Sequence, residues 1–232
     1  DEIELRDGGT IESSTQGSGN GGSVEVSART ILVGDNSLIF SSALVSGSGD
    51  ARLAATAVAP AVGNAGTVRV EAEILDVAGG GIASTTQGSG NAGDVTIQAR
   101  DVDVRDGGFV SSSAVACADG SCVPSGRAGT VTVAARKVNV DGGSISSDTQ
   151  GSGAGGEVTV DAQNVSVSGG GRISSASQGS GDAGNLVIRA STLTLDGGGF
   201  ISSEGSGEGD AGSVSVAPPR VGIASGRPLR SC

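Results

Sequence analysis

The chain is built from one short unit repeated along its length, and that repetition constrains the fold more than any single residue does. An apolar residue inside a GG-x-I-x-S-S type segment recurs at Ile11, Ile39, Ile82, Val110, Ile145, Ile173 and Ile201, mostly 28 positions apart. A second segment, G-x-V-x-V-x-A, recurs at Val24, Val68, Val95, Val131, Val158, Leu186 and Val214. A third, V-x-V, precedes each GG corner, as in Ile31 with Val33 or Val138 with Val140. All three alternate apolar and polar residues, the period of a half-buried strand, and no stretch sustains a helical period. Between the GG-x-I-x-S-S and G-x-V-x-V-x-A segments of a unit lies a turn module, TQGSGNGG at 15–22, repeated as TQGSGNAG at 86–93.

A single unit cannot bury its own apolar side chains, but stacked units share a continuous narrow core. The expected fold is therefore all-β: a right-handed parallel β-helix of about seven coils, each of about 28 residues with three short strands. Residues 1–217 form the repeat domain. Residues 218–232 read either as a boundary or linker segment or as the start of an eighth coil, since Val221 lies 28 positions after Leu193. Stacking also predicts columns of like residues. Ser13-Ser14, Ser41-Ser42, Ser112-Ser113, Ser146-Ser147, Ser174-Ser175 and Ser202-Ser203 should align and bond hydroxyl to hydroxyl. Asp7, Asp35, Asp106, Asp141 and Asp196 should make Asx-type turns. The module glycines should supply positive φ.

Composition agrees with a narrow core. The 232 residues include 43 Gly, three Phe (Phe40, Phe109, Phe200) and no Trp, Tyr, Met or His. Without His there is no His general base, no Ser-His-Asp system and no His metal ligand. With so few aromatics there is no platform for stacking sugar rings or bases. A net charge of −11 disfavours nucleic acid and anionic membrane surfaces. No cofactor is called for, and the longest apolar run is too short to insert in a membrane. Five G-x-G-x-x-G matches each precede a strand, whereas a dinucleotide fingerprint follows a strand and opens a helix. The Gly-Asp corners lack the nine-residue tandem period of calcium β-rolls. Acidic residues recur at turn and outward positions, so a carbohydrate-active enzyme and a calcium or glycan binding module stand as alternatives to a structural role. No catalytic residue is assigned.

Two insertions break the period. One lies at about 44–64 and the other at about 115–127, and both leave from the same connection, in coils two and four. They should project from one side of the rod, about 10 Å apart. Loops on a rigid scaffold often carry recognition. The candidate recognition residues are therefore Arg52, Leu53, Val58 and Val62 in the first, and Asp119, Val123 and Arg127 in the second.

GGSISSDTQGSGAGGEVTVDAQNVSVSGGG (142–171) and its sister copies resemble the repeats of filamentous-haemagglutinin-like exoproteins of cyanobacterial type, the secreted partners of two-partner secretion systems. The resemblance covers residues 1–217. It implies a right-handed β-helix, export through an outer-membrane β-barrel transporter, a secreted or cell-surface location and a role in adhesion. The secretion domain that addresses the transporter would lie upstream, which makes residues 1–232 a segment of a longer chain. In an exported protein, Cys117 and Cys122 within ACADGSC are expected to form a local disulfide, leaving Cys232 unpaired.

Overall fold

The structure, a computed structural model, describes residues 1–44, 62–116, 124–217, 221–223 and 230–231. Those residues form an all-β parallel β-helix. The chain alternates between two sheets once per coil. One sheet holds β1 (Glu2–Leu5), β3 (Val24–Ser27), β4 (Thr30–Gly34), β6 (Val68–Ala78), β8 (Val95–Arg105), β10 (Val131–Asp141), β12 (Val158–Ser168), β14 (Leu186–Leu195), β16 (Val214–Val216) and β17 (Val221–Ile223). The other holds β2 (Thr10–Gln16), β5 (Leu38–Leu44), β7 (Gly81–Gln87), β9 (Phe109–Val115), β11 (Ser144–Thr149), β13 (Arg172–Ser177), β15 (Phe200–Gly205) and β18 (Arg230–Ser231). Every pairing between these strands is parallel, and Val138, for example, lies between Val102 and Val165. Val221 pairs with Leu193 and Arg230 with Ser202, which carries the 28-residue register past residue 217.

Each coil has three pairing segments, but in β6, β8, β10, β12 and β14 two of them run together as one strand. Ala135 pairs with Ala162 and Lys137 with Asn164, while Arg136 and Gln163 between them drop out of the ladder. The skipped position is where the strand bends. Sequences such as VTVDAQNVSVS hold no Gly or Pro at that point, so nothing ends the strand and the corner is made by one unpaired residue. In the first coils the same junction, at Ala28–Arg29, separates β3 from β4.

The core is a column of Val, Ile and Leu from three inward faces. Coil five contributes Val131, Val133, Val138, Val140 and Ile145, all fully buried. The phenylalanines stand outside it. Phe40, Phe109 and Phe200 each alternate with an inward residue of the second sheet, and none joins the core cluster. A larger inward side chain would push successive coils out of their parallel register.

The serine column differs from the sequence expectation in both register and chemistry. Ser147 pairs with Ser112 and Ser175, so the inward column runs Ser13, Ser41, Ser84, Ser112, Ser147, Ser175 and Ser203. Hydroxyl-to-hydroxyl bonding occurs between Ser42 and Ser14, at 3.0 Å, off this column. Within the column each hydroxyl bonds glycine backbone. Ser147 Oγ accepts from Gly156 N at 3.0 Å and donates to the Gly129 carbonyl at 2.8 Å. Ser84, Ser112, Ser175 and Ser203 repeat the pattern: each accepts from the glycine of its own coil and donates to the same glycine one coil earlier.

Among the described module glycines Gly17 and Gly88 supply the expected positive φ, at 99° and 108°, and the others serve close approach instead. A Cβ on Gly63, Gly90, Gly126, Gly153, Gly181 or Gly209 would run into the carbonyl of the glycine stacked one coil before it. Positive φ gathers at the other corner, where turns close between Arg6 and Gly9 or between Arg105 and Gly108. There Asp7, Asp35 and Asp106 take φ of 53°, 50° and 54°, conformations that Asp tolerates. Asp196 instead accepts from the Gly197 amide at 2.7 Å, and Asp141 from the Ser168 hydroxyl at 3.0 Å. Asn side chains form a further ladder: Asn20, Asn64 and Asn91 each accept the backbone N–H of their counterpart in the next coil, at 2.8 to 2.9 Å.

Four substitutions test this account by thermal unfolding. Ser147→Ala strands a part-buried amide and carbonyl and is expected to cost about 1–3 kcal/mol, whereas Ser113→Ala on the outer face should stay within about 0.5 kcal/mol; equal effects would contradict the role given to the serine column. Gly153→Ala should prevent that corner from stacking and lower stability by more than Ser147→Ala does. Ser37 occupies a column otherwise filled by glycine (Gly80, Gly108, Gly143), and its hydroxyl is buried without a partner. Ser37→Gly removes a penalty of about 1–3 kcal/mol and adds about 0.5–1 kcal/mol of chain entropy, so a rise in Tm is expected and a fall would refute the reading.

Candidate functional site

The connection that carries both insertions is anchored by the carboxyl ends of the second sheet's strands. β5 ends at Leu44 and β9 at Val115, with β7 between them, so the two points of departure are two strand spacings, about 10 Å, apart on one edge. Arg52, Leu53, Val58, Asp119 and Val123, together with Cys117, Cys122 and Cys232, lie outside the described residues. Val62 and Arg127 are described. Val62, just before the glycine turn that leads into β6, is 56% exposed, the highest value among the described large apolar residues. Arg127 is exposed at the corner that Asn91 occupies one coil earlier, and its backbone N–H donates to Asn91 Oδ1 at 2.9 Å. The two residues are thus held on the same glycine-rich corner, coils two and four, with Asn64 and Asn91 between them in the ladder.

Sequence reasoning passed over the glutamine at the end of each strand. Gln150 Oε1 accepts the Ala116 amide at 2.9 Å, which clips the start of the second insertion to the coil below. Gln87 lies between the insertions, 3% exposed, with its Oε1 lacking a partner. The signal was present: the strand-end position reads Gln in coils one, three, five and six (Gln16, Gln87, Gln150, Gln178), and turns apolar in the two insertion-bearing coils (Leu44, Val115).

Asp148 is a second missed residue. It follows Ser147 on the opposite face of β11 and pairs across strands with Ser113 and Ala176. Its Oδ1 is buried without a partner. Burial pushes its carboxyl above the ordinary carboxylate range, and the Ser146 hydroxyl and Arg172 only partly offset this. The charged form is therefore the disfavoured one in the fold. Among the described residues no three His, Cys, Asp or Glu side chains gather closely enough to hold a metal ion.

On the outward side of the first sheet, charges run across strands in compensating pairs. Arg105 grips Asp76 with two prongs, at 3.1 and 2.8 Å, and reaches Asp106 at 2.6 Å. Asp101 lies 3.4 Å from both Arg100 and Arg136. Asp76 and Asp103 are direct cross-strand partners, a like-charge pair that Arg105, Asn139 and Lys137 relieve.

A raised carboxyl binds its proton more tightly in the folded than in the unfolded chain. The stability tied to Asp148 is therefore complete below its unfolded pKa and is lost as pH rises through the folded value. Asp148→Asn should raise Tm at neutral pH and flatten the decline between acid and neutral pH. An unchanged pH profile in the variant would show that Asp148 is not the group responsible. Comparison with protein-family models, with curated proteins and with solved structures returns no match for this chain.

Proposed function

We propose that this chain is a structural and adhesive rod segment of a secreted bacterial surface exoprotein, similar to those of two-partner secretion systems. The supporting observation is the uninterrupted parallel ladder in both sheets, sealed at the corners by serine–glycine bonds, from the first coil to the seventh. Such a stack resists bending because each coil is bonded to its neighbours at strands and corners alike. It serves as a spacer that holds the insertion-bearing edge away from the cell. The resemblance adds export through an outer-membrane β-barrel transporter, addressed by an upstream domain, and a location on the outer cell surface.

In-frame removal of residues 1–217 in the producing bacterium is expected to leave export of the remainder intact and to reduce the number of cells retained on a surface under flow several-fold. Retention equal to that of the parent strain would overturn the adhesive reading. Failure of the parent protein to appear outside the cell would overturn the secreted one.

A further inference from the structure

The corner opposite the glycine-rich module carries an irregularity of its own. In coils two and four the turn between sheets spans six positions, from Val33 to Ile39 and from Val104 to Val110. Each turn has two central residues at positive φ: Asp35 (50°) with Asn36 (60°), and Asp106 (54°) with Gly107 (78°). In coil three the same turn spans five positions, from Val77 to Ile82, and Gly79 alone has positive φ, at 69°. Coil five has the same five-position turn, from Val140 to Ile145, with Gly142 at φ 67°. Beside the coil-three turn a groove of about 780 Å³ crosses coils one to four along the rod.

Leu32, Ala78 and Gly79 line this groove together with polar groups from four coils. Asp35 and Asp106 come from the flanking turns, and Asp76 and Arg105 from the sheet beside them. Arg105 is fixed in place by its two bonds to Asp76 and its bond to Asp106. Glu4 and Arg6, ion-paired to each other, line it at the first coil. Glu4, Asp35, Asp76 and Asp106 carry four negative charges against the two guanidiniums, so the groove is net anionic.

We propose that this notch is a binding subsite for a short linear saccharide bearing free amino groups. The proposal rests on the attachment reading above and names a surface chemistry for it. Fixed carboxylate acceptors alternate with fixed guanidinium donors, and a vicinal diol, which both donates and accepts, meets both at once. An ammonium group satisfies the surplus negative charge. The side chains of a lysine-rich peptide supply donors only. Leu32 and Ala78 offer apolar contact to the carbon face of a sugar ring among the charged groups, and the groove runs along the coil repeat, about 4.8 Å per coil.

The test is a titration of the full chain with the glucosamine trimer, followed by calorimetry and by amide NMR shifts. Saturable binding with shifts centred on Asn36, Gly79 and Gly107 is expected. The fully N-acetylated trimer and trilysine should each bind at least roughly tenfold more weakly. One glycine inserted between Ala78 and Gly79 restores the six-position turn and should abolish binding while leaving Tm nearly unchanged. Should that variant not fold, Asp35→Asn decides the matter through a several-fold loss of affinity in a chain of unaltered Tm. Absence of saturable binding overturns the proposal. So does trilysine binding as tightly as the trimer, or shifts that fall on another face. Cells that still attach under flow while the trimer fails to bind would separate this failure from failure of the adhesive reading, which predicts attachment whichever groove is used.

Discussion

The bond between a serine hydroxyl and two stacked glycine backbones is the interaction on which the rest of this rod depends. Strand ladders satisfy the backbone along the faces of a β-helix, but the glycine-rich corners have no sheet to join. Buried amides and carbonyls left there would each cost about 1–3 kcal/mol. Ser112, Ser147 and Ser175 resolve this by accepting from one glycine and donating to the glycine beneath it. The corner closes only because glycine lets one backbone lie on the next, with no Cβ to hold them apart. Serine and glycine are thus needed together, and their 28-residue recurrence is the sequence record of that pairing.

Much of the architecture could be read before any coordinates were seen, because each inward residue had to be apolar and each had to recur. Ile145, Val131 and Val138 fall where periodicity puts them, as does the parallel register between coils. The serine register was harder. Ser146-Ser147 and Ser112-Ser113 look alike as dipeptides, yet Ser147 faces Ser112 because each lies two positions after its paired anchor, Ile145 or Val110, and coil four holds three serines, Ser111 to Ser113. A one-residue slip exchanges inward for outward side chains, and a repeated dipeptide hides it. At Arg136 the two apolar alternations, Val131 with Val133 and Val138 with Val140, read as two strands, although no breaker separates them and the chain runs on as one.

The corner functions were less visible still. Gln150 and Asp148 act through neighbours 34 or more positions away, or through burial that no local pattern encodes. The notch at Gly79 lies at a turn only one residue shorter than its neighbours, a difference that scarcely alters the period. In a solenoid, such departures from the repeat are where chemistry differs from one coil to the next, since everything faithful to the repeat is spent on stacking.

The direction of the serine and asparagine bonds gives the rod a grain. Coils one to six each offer an acceptor forward through a glycine carbonyl, joined in the first three by an Asn carboxamide, and the following coil answers with donors. Damage therefore spreads unequally: losing Ser147 orphans a carbonyl in the coil before and an amide in its own, while the coil after it keeps every bond it makes. The two faces of a coil are therefore chemically unlike, and a coil stacked in the reverse order could not answer the serine bonds of its neighbours, in a molecule whose backbone repeat looks the same from end to end.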